Sequence, residues 1–412
     1  MRAAPSLVLG FLLLAGLTAG GPAIAQAPAA DPVARGEYLV RAADCMACHT
    51  VPGKAAFAGG RPLKLPFGTI YSRNITPDRD TGIGSWSDDE FVRAMQQGIS
   101  KNGEHLYPAF PYTSYTKLSR EDDLAIKAFL FSLPPVRNPV PAAALSFPYN
   151  QRWAMAAWNL LFNPNERLTP DPAKPADWNR GAYLVEALGH CGECHTPRRF
   201  TQSLDNSRKF AGAVTEGWKA DNITADTQSG VGGWSDEALV SYLSTGHADG
   251  HSSASGPMAE AIADGLAYLT PEDLRATVVY LRTVPAISNM PAVAEAPPAT
   301  KSAAPPQTLG SRIFAGECQN CHRWDGSGAQ SRYATLIRSR TVNDPEGTNL
   351  AAILIGGSTV QYPTGRVFMP PFGKGRSDDE LAAVANFANA YFGNGTAHLT
   401  AADIDHIRKM LP

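Results

Sequence analysis

Apolar residues recur at helical spacing in two stretches, Leu118 to Leu133 and Leu269 to Val284. Each is opened by a hydroxyl N-cap, Ser119 or Thr270, with acids in the first turn. A more diverged third stretch opens at Ser377-Asp378-Asp379-Glu380 and ends near Phe392. The residues upstream repeat as well. Arg35-Gly36-Glu37-Tyr38-Leu39-Val40 is echoed by Arg180-Gly181-Ala182-Tyr183-Leu184-Val185. Asn74-Ile75-Thr76 matches Asn222-Ile223-Thr224, and Trp86-Ser87-Asp88 matches Trp234-Ser235-Asp236, both pairs 148 positions apart. Such internal repetition predicts units in series, each running from a leading helix through loops to a closing helix. The expected fold class is all-α, with few strands.

Between these units the pattern changes. Residues 288–307 are rich in Pro and Ala and read as an extended linker. Residues 138–174 form a longer connection containing the apolar stretch Gln151 to Phe162, with Trp153, Trp158, Leu160, Leu161 and Phe162. About twelve residues are too few to cross a bilayer, which takes roughly 20. The plain reading is a helix packed between the first two units, and the sharper one a docking surface for a partner or the bilayer interface. At the N-terminus, Arg2, the apolar run Leu7 to Leu17 and Ala23-Ile24-Ala25 read as a cleaved signal peptide over 1–25. The expected units are 33–137, 175–287 and 308–395, followed by a C-terminal tail over 396–412.

Composition narrows the function. The 412 residues suggest two to four domains, and 37 glycines with 33 prolines point to many turns. With 36 basic against 38 acidic residues there is no basic excess to meet phosphates, so no nucleic-acid partner is expected. Without the leader's Arg2 the balance is 35 to 38, a formal −3.

In an exported chain six cysteines first suggest three disulfides. Here all six fall into CxxCH units: Cys45-Met46-Ala47-Cys48-His49, Cys191-Gly192-Glu193-Cys194-His195 and Cys318-Gln319-Asn320-Cys321-His322. CxxCH is the c-type haem attachment sequence. Its two thiols bond the two vinyl groups of one porphyrin, and His49, His195 or His322 reaches the iron. Structural zinc needs four ligands per site, and each unit offers three with no cysteine to spare. A thioredoxin-like site has no use for the histidine. Three covalently bound haems c, on three tandem cytochrome c domains joined by Pro/Ala-rich connections, are therefore expected.

The sixth iron ligand decides whether a haem relays electrons or does chemistry, and methionine suits the relay. Met369, in Val367-Phe368-Met369-Pro370-Pro371-Phe372-Gly373, precedes the third closing helix, where a distal loop belongs. Met258, in Gly256-Pro257-Met258, lies in the corresponding loop of the second unit. The offset of 148 maps Met258 onto Phe110, which has no lone pair for iron. For the first haem, His105 ranks ahead of an open site, and Met95, whose default reading is core, comes behind both.

Together these residues resemble the three-haem cytochrome c subunits of membrane-associated periplasmic dehydrogenases that oxidise alcohols, aldehydes, gluconate or related substrates. The resemblance covers nearly the whole mature chain. It rests on the paired Arg-Gly-x-Tyr-Leu-Val leads, the Asn-Ile-Thr and Trp-Ser-Asp blocks, His105-Leu106-Tyr107-Pro108-Ala109, Gly256-Pro257-Met258 and Met369-Pro370-Pro371-Phe372. Many relatives carry methionine where this chain has Phe110. The phenylalanine form is similar to cytochrome subunits that partner molybdenum hydroxylases, including aldehyde dehydrogenase systems. The resemblance implies an electron-transfer subunit that is not catalytic alone. A separate dehydrogenase catalytic subunit would reduce the haems, and membrane ubiquinone or a terminal oxidase would receive the electrons. The implied location is periplasmic, on the outer face of the cytoplasmic membrane. Two other classes stay open: a haem enzyme of peroxidase or thiosulfate-oxidising type using an open first haem, and a free periplasmic shuttle.

Overall fold

The structure is a computed structural model describing residues 31–288 and 307–411. The leader over 1–25 and residues 289–306 of the linker lie outside the described residues.

Three pairs of helices organise the rest. Pro32–Ala42 packs on Arg120–Ser132, Ala176–Tyr183 on Pro271–Leu281, and Leu309–Ile313 on Asp378–Phe392. The reason lies partly in one residue type. Gly36, Gly181 and Gly310 sit in the three leading helices, where a Cβ would collide with the backbone carbonyl of Ala125, Ala276 or Ala383 on the closing helix. Only glycine lets the two backbones approach this closely. The closing helices are capped by Ser119, Thr270 and Ser377, whose hydroxyls accept the N–H of Asp122, Asp273 and Glu380. They are shorter than the apolar stretches suggest, because their flanking leucines belong to turns.

The repeated blocks are structural pins. Asn74 Oδ1 accepts the Thr76 N–H at 3.0 Å while its Nδ2 donates to the Val136 carbonyl at 2.7 Å. Asn222 does the same with Thr224 and Ile287, at 2.9 and 2.8 Å. Each ties its loop to the chain leaving the closing helix. Ser87 and Ser235, from the Trp-Ser-Asp blocks, cap the helices Asp88–Gln97 and Asp236–Thr245.

The described residues are helix-rich, as expected, and the few strands expected among them form a three-stranded antiparallel sheet (Pro62–Leu65, Gly68–Tyr71, Ala144–Leu145) and three two-stranded ribbons, the longest pairing Ser358–Tyr362 with Gly365–Met369. These hairpins occupy the loops, where glycine turns bring alternating segments together. One boundary needs correction. The C-terminal stretch is no loose tail. Its helix Ala401–Met410 buries Ile404 and Ile407 in the third unit's core, and Arg408 pairs with Asp378 at 2.6 Å.

Nor are the units beads on a string. Leu39, Val40 and Ile126 of the first share one apolar cluster with Leu184, Leu188 and Leu274 of the second. Ala259 and Ile262 of the second cluster with Val360 and Tyr362 of the third.

The connecting helix is Ala154–Phe162, and none of its residues is buried. Trp158 Nε1 donates to the Thr201 carbonyl at 2.8 Å and Asn159 Nδ2 to the Gln97 carbonyl at 2.6 Å, so the helix does bridge the first two units. Met155, Trp158 and Phe162 are half-buried on its inner side, with Trp158 edge-on to Tyr112, while its outer side is also apolar: Leu160 is 84% and Leu161 73% exposed, with Trp153 at 76%. Among the described residues no helix is long and apolar enough to cross a membrane.

Candidate haem-attachment site

Each CxxCH lies on a short helical turn at the end of its leading helix: Cys45–His49, then Cys191 with Gly192–His195, then Cys318 with Gln319–His322. In the second and third units the leading helix passes through a wider turn first, Leu184–Leu188 and Phe314–Cys318. Such bulges concentrate at functional sites, where they re-aim the side chains that follow.

The three histidines share one geometry. His49 Nδ1 lies 2.6 Å from the Arg73 carbonyl, His195 Nδ1 2.6 Å from that of Asp221, and His322 Nδ1 2.7 Å from that of Ala334. A carbonyl accepts only, so Nδ1 must carry the hydrogen and Nε2 keeps the lone pair. That is the tautomer a metal needs, with the ring's orientation fixed from behind. Burial also holds all three imidazoles below their ordinary pKa, partly countered by the carbonyl hydrogen bond.

None of the six cysteines is in a disulfide. Burial pushes the thiols of Cys45, Cys191, Cys194 and Cys318 up to about 12. Among the described residues no three His, Cys, Asp or Glu side chains converge as a metal cage. Two thiols free of disulfides and one oriented imidazole per site fit a covalently held haem.

Residues 33–134 and 307–389 match the cytochrome c family. The chain is 36% identical to the fructose dehydrogenase cytochrome subunit of Gluconobacter japonicus, over 96% of this chain and 87% of that protein. It is 37% identical to the gluconate 2-dehydrogenase cytochrome c subunit of Pantoea cypripedii, over 99% and 95%. The chain belongs to the family of dehydrogenase cytochrome c subunits. As a cytochrome c it binds haem covalently. This cytochrome is also 35% identical to the cytochrome c subunit of the quinone alcohol dehydrogenase of Gluconobacter oxydans, over 95% of this chain and 86% of that protein.

Its distal candidates take different settings. Met258 is not in a loop but in the first turn of the helix Gly256–Asp264, half-buried beside Val360 and Tyr362. The helix starts there because Pro257 fits a first turn. Met369 ends the strand Gly365–Met369 and packs on the third unit's core. Phe110 packs on the cluster holding Cys45 and Met95, its ring 5.5 Å from that of Tyr115. His105 is pinned by a bridge to Ile99, and its buried Nδ1 has no hydrogen-bond partner among the described residues. Met95 is buried in Asp88–Gln97.

A reciprocal contact between the first two units was not visible in the sequence. Asp122 accepts Arg35 Nε at 2.9 Å and, from the second unit, Tyr183 Oη at 2.6 Å. Asp273 accepts Arg180 Nε at 2.8 Å and, from the first unit, Tyr38 Oη at 2.5 Å. The two units thus clasp each other reciprocally, as in an isologous interface. The repeated Arg-Gly-x-Tyr was the available signal, but only the fold shows that each tyrosine crosses over.

Proposed function

We propose that this cytochrome is a three-haem relay on three tandem cytochrome c domains, taking electrons from a dehydrogenase catalytic subunit and passing them to membrane ubiquinone or a terminal oxidase. The observation that carries this reading is the threefold recurrence of one arrangement: two thiols, then a histidine whose Nδ1 is tied to a backbone carbonyl. The relatives' names support a dehydrogenase as the donor. His195 and Met258 would ligate the second haem, His322 and Met369 the third, and His49 with His105 the first. Export to the periplasm fits the N-terminal pattern. Attachment to the outer face of the cytoplasmic membrane fits the outward Trp153, Leu160 and Leu161, since helices with Trp and Leu on one face lie in bilayer interfaces.

Mass spectrometry of the matured protein should show three haem adducts, and a large dehydrogenase subunit should co-purify. Fewer adducts would refute the haem number, and a lone chain would favour a free shuttle. Phe110 is the one observation that favours a haem enzyme instead. Rapid carbon monoxide binding at a reduced first haem, with catalytic turnover, would establish that second reading.

A further inference from the structure

Gly98 and Gly246 hold the same place in the first two units. Each follows the helix opened by Trp-Ser-Asp, each has positive φ (62° and 74°), and each accepts a 2.7 Å hydrogen bond from the returning strand, from Leu106 and Ala254. In both, an aromatic ring covers the bare glycine so closely that a Cβ would collide with it. For Gly98 the ring is Tyr112, two residues past Phe110 in the same unit. For Gly246 the nearest atoms all belong to Tyr362, which the third unit supplies.

Tyr362 stands at one end of the hairpin whose other end is Met369. It is only 2% exposed and shares its apolar cluster with Met258, Ala259, Ile262 and Tyr242 of the second unit. Its ring stacks on Tyr333 at 5.7 Å, and Tyr333 Oη is fixed by donating to the Thr245 carbonyl at 2.6 Å. The Tyr362 hydroxyl is buried with no hydrogen-bond partner among the described residues. Leaving a buried donor unmet costs about 1–3 kcal/mol, and phenylalanine would fill the same space without that cost. A hydroxyl kept here calls for an acceptor that the described residues do not supply. A haem brings two carboxylates to an otherwise apolar pocket.

We propose that Tyr362 of the third unit is a positioning residue of the second haem: its ring closes the pocket beside Met258, and its hydroxyl donates to a carboxylate of the haem held by Cys191 and Cys194. This rests on the haem relay read above and on Met258 as the second haem's ligand. The second site is then complete only when the third unit is docked, so the hairpin joins the two haem sites physically.

Two variants of the full, haem-loaded protein test this. In Tyr362→Phe the thioether-to-iron absorption should persist while one midpoint potential falls, because the carboxylate keeps its full negative charge and favours ferric iron. The haem-carboxylate bending band in resonance Raman spectra should move with it. In Tyr362→Ala one more haem per chain than in wild type should bind carbon monoxide rapidly. Unchanged midpoints and bands in the Phe variant would overturn the hydroxyl's role. An Ala variant with no added carbon monoxide binding would overturn the pocket closure. Met258→Ala separates the two readings. If it abolishes one thioether absorption, the affected haem must be the one that Tyr362→Phe shifts, and a different haem overturns the proposal. If all thioether absorption survives, Met258 is no ligand, while the Raman band of the Phe variant still decides the hydroxyl.

Discussion

On the relay proposed above, Phe110 is the residue that would set the first haem apart. It packs against Tyr115 and the Cys45 cluster, where it can exclude water but offers iron no lone pair. His105 lies five residues earlier, and its buried Nδ1 lacks a partner among the described residues. Two imidazoles favour ferric iron, so a His49/His105 haem should have the lowest midpoint of the three. Phe110→Met should raise one midpoint and increase the thioether-to-iron absorption from two haems' worth to three. His105→Ala should turn one haem high-spin by electron paramagnetic resonance. If the wild-type protein already shows three His/Met haems, the assignment fails and Met95 becomes the candidate. The CxxCH residues were legible because attachment chemistry is local in sequence. The distal candidates were less so, because their setting, a helix turn for Met258 and a strand end for Met369, depends on the fold.

Among the elements, the widened turn Leu184–Leu188 carries an electrostatic consequence. It buries Glu186, where burial alone would raise the carboxyl's pKa. Lys117 of the first unit at 3.0 Å and Lys209 at 2.5 Å outweigh that and bring it down to about 2. A carboxylate whose folded pKa is depressed adds stability above its unfolded pKa, near 4.3, and loses it as pH falls toward 2. The shift corresponds to about 3 kcal/mol at neutral pH. Glu186→Gln should therefore lower the unfolding temperature at pH 7 and flatten its fall between about pH 5 and 2. Calorimetry across that range would show it, and an acid limb as steep as wild type would refute it. Helix positions were legible from periodicity and caps such as Ser119 and Thr270. Neither the bulges nor the hairpins were, because both are set by contacts distant in sequence.

At the scale of the whole molecule, the reciprocal tyrosine clasp ties the leading helix of each of the first two units to the closing helix of the other. A hydrogen bond to a charged group contributes about 1.5–3 kcal/mol. Tyr38→Phe and Tyr183→Phe should each destabilise the protein by about that much. Since each removes one half of the clasp, hydrogen exchange should rise at both Pro32–Ala42 and Ala176–Tyr183 in either variant. Exchange confined to the mutated unit would mean that the units fold independently. By itself the sequence determined the chemistry and the parts: three CxxCH motifs, the paired Asn-Ile-Thr and Trp-Ser-Asp pins, and capped helices. All of these are encoded by neighbours along the chain. Only the tertiary structure decided how the parts meet. Tyr38 crosses to Asp273, Tyr362 joins the second unit's apolar cluster, and Leu160 and Leu161 face outward, although the apolar pattern alone suits burial equally well. The physical reason is that periodicity marks a face as apolar or a residue as a donor, while its partner is chosen by which surfaces are complementary once every unit has folded.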